Sequence, residues 1–255
     1  MESNRYVLEL AYNGTNYAGW QRQPNAMSVE ETIDTGLSLL LNEKIKIVGC
    51  GRTDAGVHAS YYVAHFDFAG NFPKVFLHRF NRFLVDDVSI LGLYRVPADF
   101  HARFHASGRG YTYRVSLQKD PFRQHTVSNM PQMRGIDKEK MQAAAAILSE
   151  FGEFAPFCKT NSDAFTMECQ LTEARWEFGR QEWTFYISAN RFLRGMVRLI
   201  VGMCLRVGEG KLSLEQLREA LEKQERLPQP WSAPATGLFL SSVDYPDKMA
   251  WEPID

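Results

Sequence analysis

The chain has 255 residues, with 29 lysines and arginines against 30 acids and a formal net charge of −1. At about 150 residues per domain this length allows one large domain or two modest ones. Hydrophobic residues at 45% and charged residues at 23% exclude wholesale disorder, and the longest strongly apolar run, Leu199 to Leu205, is too short to span a bilayer.

Arg5 to Tyr12 alternates as a strand does and ends in the turn Asn13-Gly14-Thr15-Asn16. Ser28-Val29-Glu30-Glu31 has the form of a capping box. It opens a helix that turns Val29, Ile33, Leu37, Leu40 and Leu41 to a core. Ile45–Cys50 and Tyr61–Phe68 read as strands flanking the loop 51–58, and a helix over 74–84 precedes a strand over 88–96. The pattern then restarts. A strand over 110–117 is followed by a helix from Asp137 through the alanines 143–146 to Glu150. Residues 173–178 and 182–189 pair as a hairpin, helices follow over 192–207 and from Ser213 to about Gln224, and a strand closes at 238–244. Residues 227–235, with Pro228, Pro230 and Pro234, read as irregular. The expected fold class is α+β: two similar α/β halves, 1–104 and 105–255, sharing a largely antiparallel mixed sheet with helices packed on it.

The near-zero net charge hides two basic stretches. Residues 74–123 carry nine bases and four acids (9 − 4 = +5), and residues 191–226 carry eight bases and five acids (8 − 5 = +3). The first is interleaved with Phe76, Phe80, Phe83, Phe100, Phe104, Tyr111 and Tyr113. Cations neutralise phosphates and aromatic faces stack on bases, so this mixture suits RNA; two solvated faces would also produce it. The N-terminal residues lack the basic-then-apolar build of a signal peptide. Cys50, Cys158, Cys169 and Cys204 form no CxxC pair, so they read as reduced thiols of a cytoplasmic protein.

Three segments carry chemistry. In Gly51-Arg52-Thr53-Asp54-Ala55-Gly56-Val57-His58 the glycines allow a tightly shaped turn. Its aspartate, two residues after Arg52 and four before His58, is ready to act as nucleophile or base. The same residues also suit an Asx-turn that only shapes a loop. On a helix over 192–207, Arg191, Arg194, Arg198 and Arg206 share one arc with Gly195 and Gly202. Glycine costs about 1 kcal/mol in a helix interior, so two of them there suggest close approach of another backbone or a substrate. In Arg109-Gly110-Tyr111-Thr112-Tyr113-Arg114, alternation puts both tyrosines on one face, as core residues or as a platform for a base. His101 and His105 lack an evident third ligand, so no metal is expected.

Together these segments resemble the tRNA pseudouridine synthase A (TruA-type) family. The resemblance rests on Tyr12-Asn13-Gly14-Thr15-Asn16-Tyr17-Ala18-Gly19-Trp20-Gln21, the Gly51–His58 string, Phe100-His101-Ala102-Arg103-Phe104, Arg109-x-Tyr111-x-Tyr113, Met196-Val197-Arg198 and Gly237-Leu238. These motifs stand in family order over nearly the whole chain. The resemblance implies conversion of uridine to pseudouridine in the anticodon stem-loop of tRNA, at positions 38 to 40. It implies no cofactor and no metal, and a homodimer that does not engage a membrane. Asp54 would be the catalytic aspartate, attacking the nucleotide or removing a ribose proton. Tyr111 would pack on the target base, Arg198 would pair with the aspartate, and Arg52 would help hold the flipped-out nucleotide. His58, Arg109 and Arg194 complete the expected substrate-binding set. Cys169-Gln170 and Gly152-Glu153 depart from the usual family pattern, outside that set. The alternative is a catalytically silent tRNA-binding module or RNA chaperone, against which an intact Asp54, Tyr111 and Arg198 argue. A glycosidase or nucleotide hydrolase would need a second acid near Asp54, and none is evident.

Overall fold

The computed structural model describes residues 3–159, 165–246 and 248–254. The fold is α+β, and the chain divides into two compact units: residues 1–107 with 240–255, and residues 108–239. A division in chain order at 104/105 leaves the C-terminal residues in the second half. The structure returns them to the first unit, because Tyr245 and Trp251 are buried against Phe100, with ring centroids 5.3 and 5.4 Å away.

In the first unit, β1 (Asn4–Tyr12) lies between β3 (His58–Phe68) and β4 (Val88–Val96), antiparallel to both. Two short strands extend it: β2 (Val48–Gly49) on β3, and β10 (Glu252–Pro253) on β4. Val7, Leu8 and Leu10 of the central strand are fully buried. Helix α1 (Val29–Leu41) starts where the Ser28 hydroxyl accepts the Glu31 N–H. Helix α2 (Phe76–Phe83) crosses it closely. A Cβ on Gly36 would lie 2.9 Å from the Phe80 ring, so only glycine fits the crossing.

The expected strand 45–50 pairs with β3 only from Val48 to Cys50, whose N–H donates to the Val63 carbonyl (2.8 Å), because side chains of α1 take the backbone N–H groups of residues 45 and 47. The Ser38 hydroxyl accepts the Ile45 N–H (2.9 Å), and the Asp34 carboxylate accepts that of Ile47 (2.8 Å). Burial pushes the pKa of Asp34 up to about 6, offset in part by the Ile47 bond and reinforced by Glu30. A folded pKa above the unfolded one means the folded state holds the extra proton between pH 4 and 6. Stability is therefore lost as pH rises through that window. Asp34→Asn keeps an acceptor for Ile47 without the charge. Chemical denaturation is expected to find this variant more stable than wild type by roughly 2 kcal/mol at pH 7, with the gap closing toward pH 4. A gap independent of pH would rule the charge out as its cause.

In the second unit, β8 (Glu182–Ala189) lies between β5 (Gly108–Ser116) and β7 (Leu171–Phe178), antiparallel to both. The pair β7–β8 is the expected hairpin. The short β6 (Ser128–Asn129) joins β5 in parallel. Helix α3 (Lys138–Leu148) is capped by Asp137, and α5 (Leu214–Lys223) has the full capping box of Ser213 and Gln216. Strand β9 (Leu238–Asp244) begins in this unit and ends in the first.

Helix α4 spans Met196–Gly208, four residues shorter at its start than periodicity suggests. Gly195, at φ +72°, takes the N-cap in the left-handed region, which ends helical geometry there. Arg191, Arg194 and Gly195 therefore do not share an arc with the helix. The ridge that remains is Arg198, Gly202 and Arg206, four residues apart and stacked on one face.

Candidate active site

In the first unit the loop 51–58 is held by the segment 12–20. The Tyr12 hydroxyl bonds the Thr53 hydroxyl (2.8 Å), the Trp20 N–H donates to the Thr53 carbonyl (3.2 Å), and the Gly56 N–H donates to the Tyr17 carbonyl (3.3 Å). Within the loop, the Val57 N–H closes a turn onto the Asp54 carbonyl (3.1 Å), with Gly56 at φ +76°. The glycines of both segments mark close backbone approach. A Cβ on Gly14 would lie 2.0 Å from the Val57 carbonyl oxygen, and one on Gly19 would lie 2.4 Å from that of Thr53. The two strings quoted separately from the sequence are thus one construction. Trp20, stacked on Tyr62 at 3.9 Å between centroids, anchors it in the core.

This construction leaves Asp54 half-buried and Arg52 exposed. His58 differs from its expected role as a substrate contact. It is 0% exposed, and its Nδ1 accepts the Gly14 N–H at 3.1 Å, so it holds the turn in shape from behind.

In the second unit the structure brings Arg109 and Tyr111 together with residues 190–192. Arg109 Nη1 donates to the Asn190 carbonyl at 3.0 Å, and the half-buried Tyr111 ring meets Phe192 edge to face at 5.1 Å. The motifs of the sequence do not single out Phe192; its position three residues past the end of β8 is the available signal. Tyr113 is fully buried and donates to the Pro234 carbonyl (2.9 Å), and burial raises its pKa. Tyr111 and Phe192 thus form a T-shaped pair, and Tyr113 belongs to the core. Arg198 Nε donates to the Ala233 carbonyl at 2.6 Å. Arg194 is exposed, and its carbonyl accepts the Lys159 N–H.

The aromatic interleaving of the basic stretch is mostly core packing. Phe76, Phe80, Phe100 and Tyr113 are at most 5% exposed, whereas Phe104 is 71% exposed with Arg103 over its ring at 5.6 Å. Lys74, which precedes α2, and Arg79 and Arg82 on it are exposed, whereas Phe76 and Phe80 are buried. His101 Nδ1 accepts the Arg103 N–H of its own turn (3.2 Å). His65, whose pKa burial pushes down to about 4, accepts the Ala102 N–H (3.1 Å). The Phe100–Phe104 motif is thereby a turn pinned from two sides. Among the described residues no group of three His, Cys, Asp or Glu side chains is placed to hold a metal ion, and no helix is long and apolar enough to cross a membrane.

Comparison with known proteins points the same way. Residues 151–246 match the family model described as tRNA pseudouridine synthase. The tRNA pseudouridine synthase A of Porphyromonas gingivalis is 44% identical over 96% of this chain and 98% of its own length. That of Bacteroides fragilis is 42% identical over 98% and 99%, and that of Corynebacterium glutamicum 35% identical over 95% and 89%. With identity at this level from end to end, and with the turn, tyrosine strand and arginine helix in family order, the chain belongs to the tRNA pseudouridine synthase A family.

Proposed function

We propose that the protein isomerises uridine to pseudouridine in the anticodon stem-loop of tRNA, at positions 38 to 40. One observation carries this reading. The most specific string of the chain, Gly51–His58, is not a slack connector but a turn clamped by the other family segment, and Asp54 is the carboxylate that it carries.

The target base is stacked in a stem, so it must be extruded at a cost of a few kcal/mol. The C1′–N1 glycosidic bond then breaks, the base turns, a C1′–C5 bond forms, the C5 proton leaves and N1 takes up a proton. Nothing is oxidised or reduced and no group is added, so the reaction calls for no cofactor. Asp54 acts at the nucleotide, either covalently at the sugar or as the base that removes a ribose proton. Arg198 supplies the positive charge of the catalytic set. Tyr111 packs against the uracil while it turns, with Phe192 bracing its ring. Arg52, Arg109 and Arg194 hold the nucleotide and its phosphates, and His58 shapes the turn. The enzyme works as a cytoplasmic homodimer, as its family resemblance implies.

The test uses tRNA transcripts carrying tritium at C5 of uridine. Wild-type protein is expected to release tritium from the anticodon arm, and Arg198→Ala to lower kcat at least 30-fold with tRNA affinity within threefold. Equal loss in both would mark Arg198 as a plain phosphate contact. Binding without any release by the wild type would make the protein a silent tRNA binder.

A further inference from the structure

Residues 231–234, read from the sequence only as part of a proline-rich irregular stretch, run along the ridge of α4. Ala233 and Arg198 exchange two hydrogen bonds: Arg198 Nε to the Ala233 carbonyl at 2.6 Å, and the Ala233 N–H to the Arg198 carbonyl at 3.0 Å. One helical turn on, a Cβ at Gly202 would lie 1.8 Å from the Trp231 carbonyl oxygen, so the absent side chain is what lets the segment lie against the helix. A further turn on, Arg206 stacks over the Trp231 ring at 5.6 Å and lies 3.7 Å from Glu209. The segment is also tied to β5, since the Tyr113 hydroxyl donates to the Pro234 carbonyl at 2.9 Å. Ala233 is fully buried, and Pro228, Pro230 and Pro234 limit the conformations open to the segment on either side.

We propose that Trp231–Pro234 is a positioning strap for the reaction: it orients Arg198 on α4 and ties that helix to the strand carrying Tyr111. The inference rests on the role given to Arg198 above. A guanidinium on a flexible stem can meet a carboxylate through either of two edges. With Nε committed to Ala233, a two-pronged pairing uses the terminal Nη1–Nη2 edge. The strap therefore sets the approach as well as the place of the charge, and a misplacement of about 1 Å far from the chemistry can cost on the order of 100-fold in rate. Trp231 is the handle of this device. Its ring is fixed by Arg206, and its carbonyl seats in the notch at Gly202.

The experiment compares Trp231→Ala, Trp231→Phe, Tyr113→Phe and Arg198→Ala in tritium release and in tRNA binding. Trp231→Ala is expected to lower kcat at least tenfold, with the Kd for tRNA changed less than twofold, and Trp231→Phe to recover kcat to within threefold of wild type. Tyr113→Phe removes only the hydroxyl, which bonds the Pro234 carbonyl and Ser128, and keeps the ring, so it is the milder variant and is expected to fold even if Trp231→Ala does not; it is expected to lower kcat three- to tenfold with unchanged Kd. Wild-type kcat in the folded Trp231→Ala or Tyr113→Phe protein, alongside an impaired Arg198→Ala, would overturn the strap and leave the role of Arg198 standing. Wild-type kcat in Arg198→Ala would overturn that role, and the strap with it.

Discussion

Asp54→Asn is expected to reduce pseudouridine formation at least 10⁴-fold, while tRNA affinity stays within threefold. The substitution is isosteric and removes only charge and nucleophilicity. A neutral amide neither stabilises positive character at the anomeric carbon nor forms the covalent adduct, and it is a poor base for a ribose proton. All the proposed routes through Asp54 therefore fail together. The turn around it is held by backbone groups and by Tyr12, Thr53 and His58. Single-turnover tritium release at saturating enzyme, paired with filter binding of the same transcript, separates chemistry from affinity. A residual rate within 100-fold of wild type would remove Asp54 from the centre of the mechanism.

What the sequence discloses follows the range of the physics involved. Helix starts are local, and Ser28, Asp137 and Ser213 all cap where their spacing places them. The strands at 5–12, 88–96, 173–178 and 182–189 are likewise visible as patterns of neighbours. The failures are contacts made over distance. Ser38 and Asp34 take the backbone groups of 45–47 away from the sheet. Tyr245 and Trp251 return to Phe100 across more than a hundred residues. A helical wheel drawn from residue 191 has no means of registering that Gly195 adopts φ +72° and starts the helix after it. Glycine is the most instructive case. Its presence at position 202 is legible as a demand for space, but the backbone that fills it, at Trp231, is visible only in the fold, as are the close approaches of Val57 to Gly14 and Thr53 to Gly19. The candidate site divides in the same way: Asp54, Tyr111 and Arg198 come from motifs, while Phe192 and the strap come from packing.

The same reasoning makes Gly19→Ala a damaging single methyl group, set against both backbone conformation and space. Gly19 sits at φ +102°, a conformation that costs an L-residue about 1–3 kcal/mol, and the added Cβ would fall 2.4 Å from the Thr53 carbonyl and 3.2 Å from the Asp54 carbonyl carbon. One side of this contact must move. The 18–20 segment is the more firmly held, since Ala18 and Trp20 are bonded to Met27 and Glu30 through the backbone and the Trp20 ring is buried on Tyr62. The displacement therefore goes into 53–55, which carries Asp54. The variant is expected to lose 2–4 kcal/mol of stability, roughly 5–12 °C in Tm for a chain of this size, and to lose at least 100-fold in kcat at a temperature where it is fully folded. Gly135→Ala, where an added Cβ meets nothing within 4 Å, is the matched control and should change neither. If Gly19→Ala loses stability yet turns over at the wild-type rate, the clamp serves folding alone, and the position of Asp54 is set by Gly56 and the 54–57 turn instead.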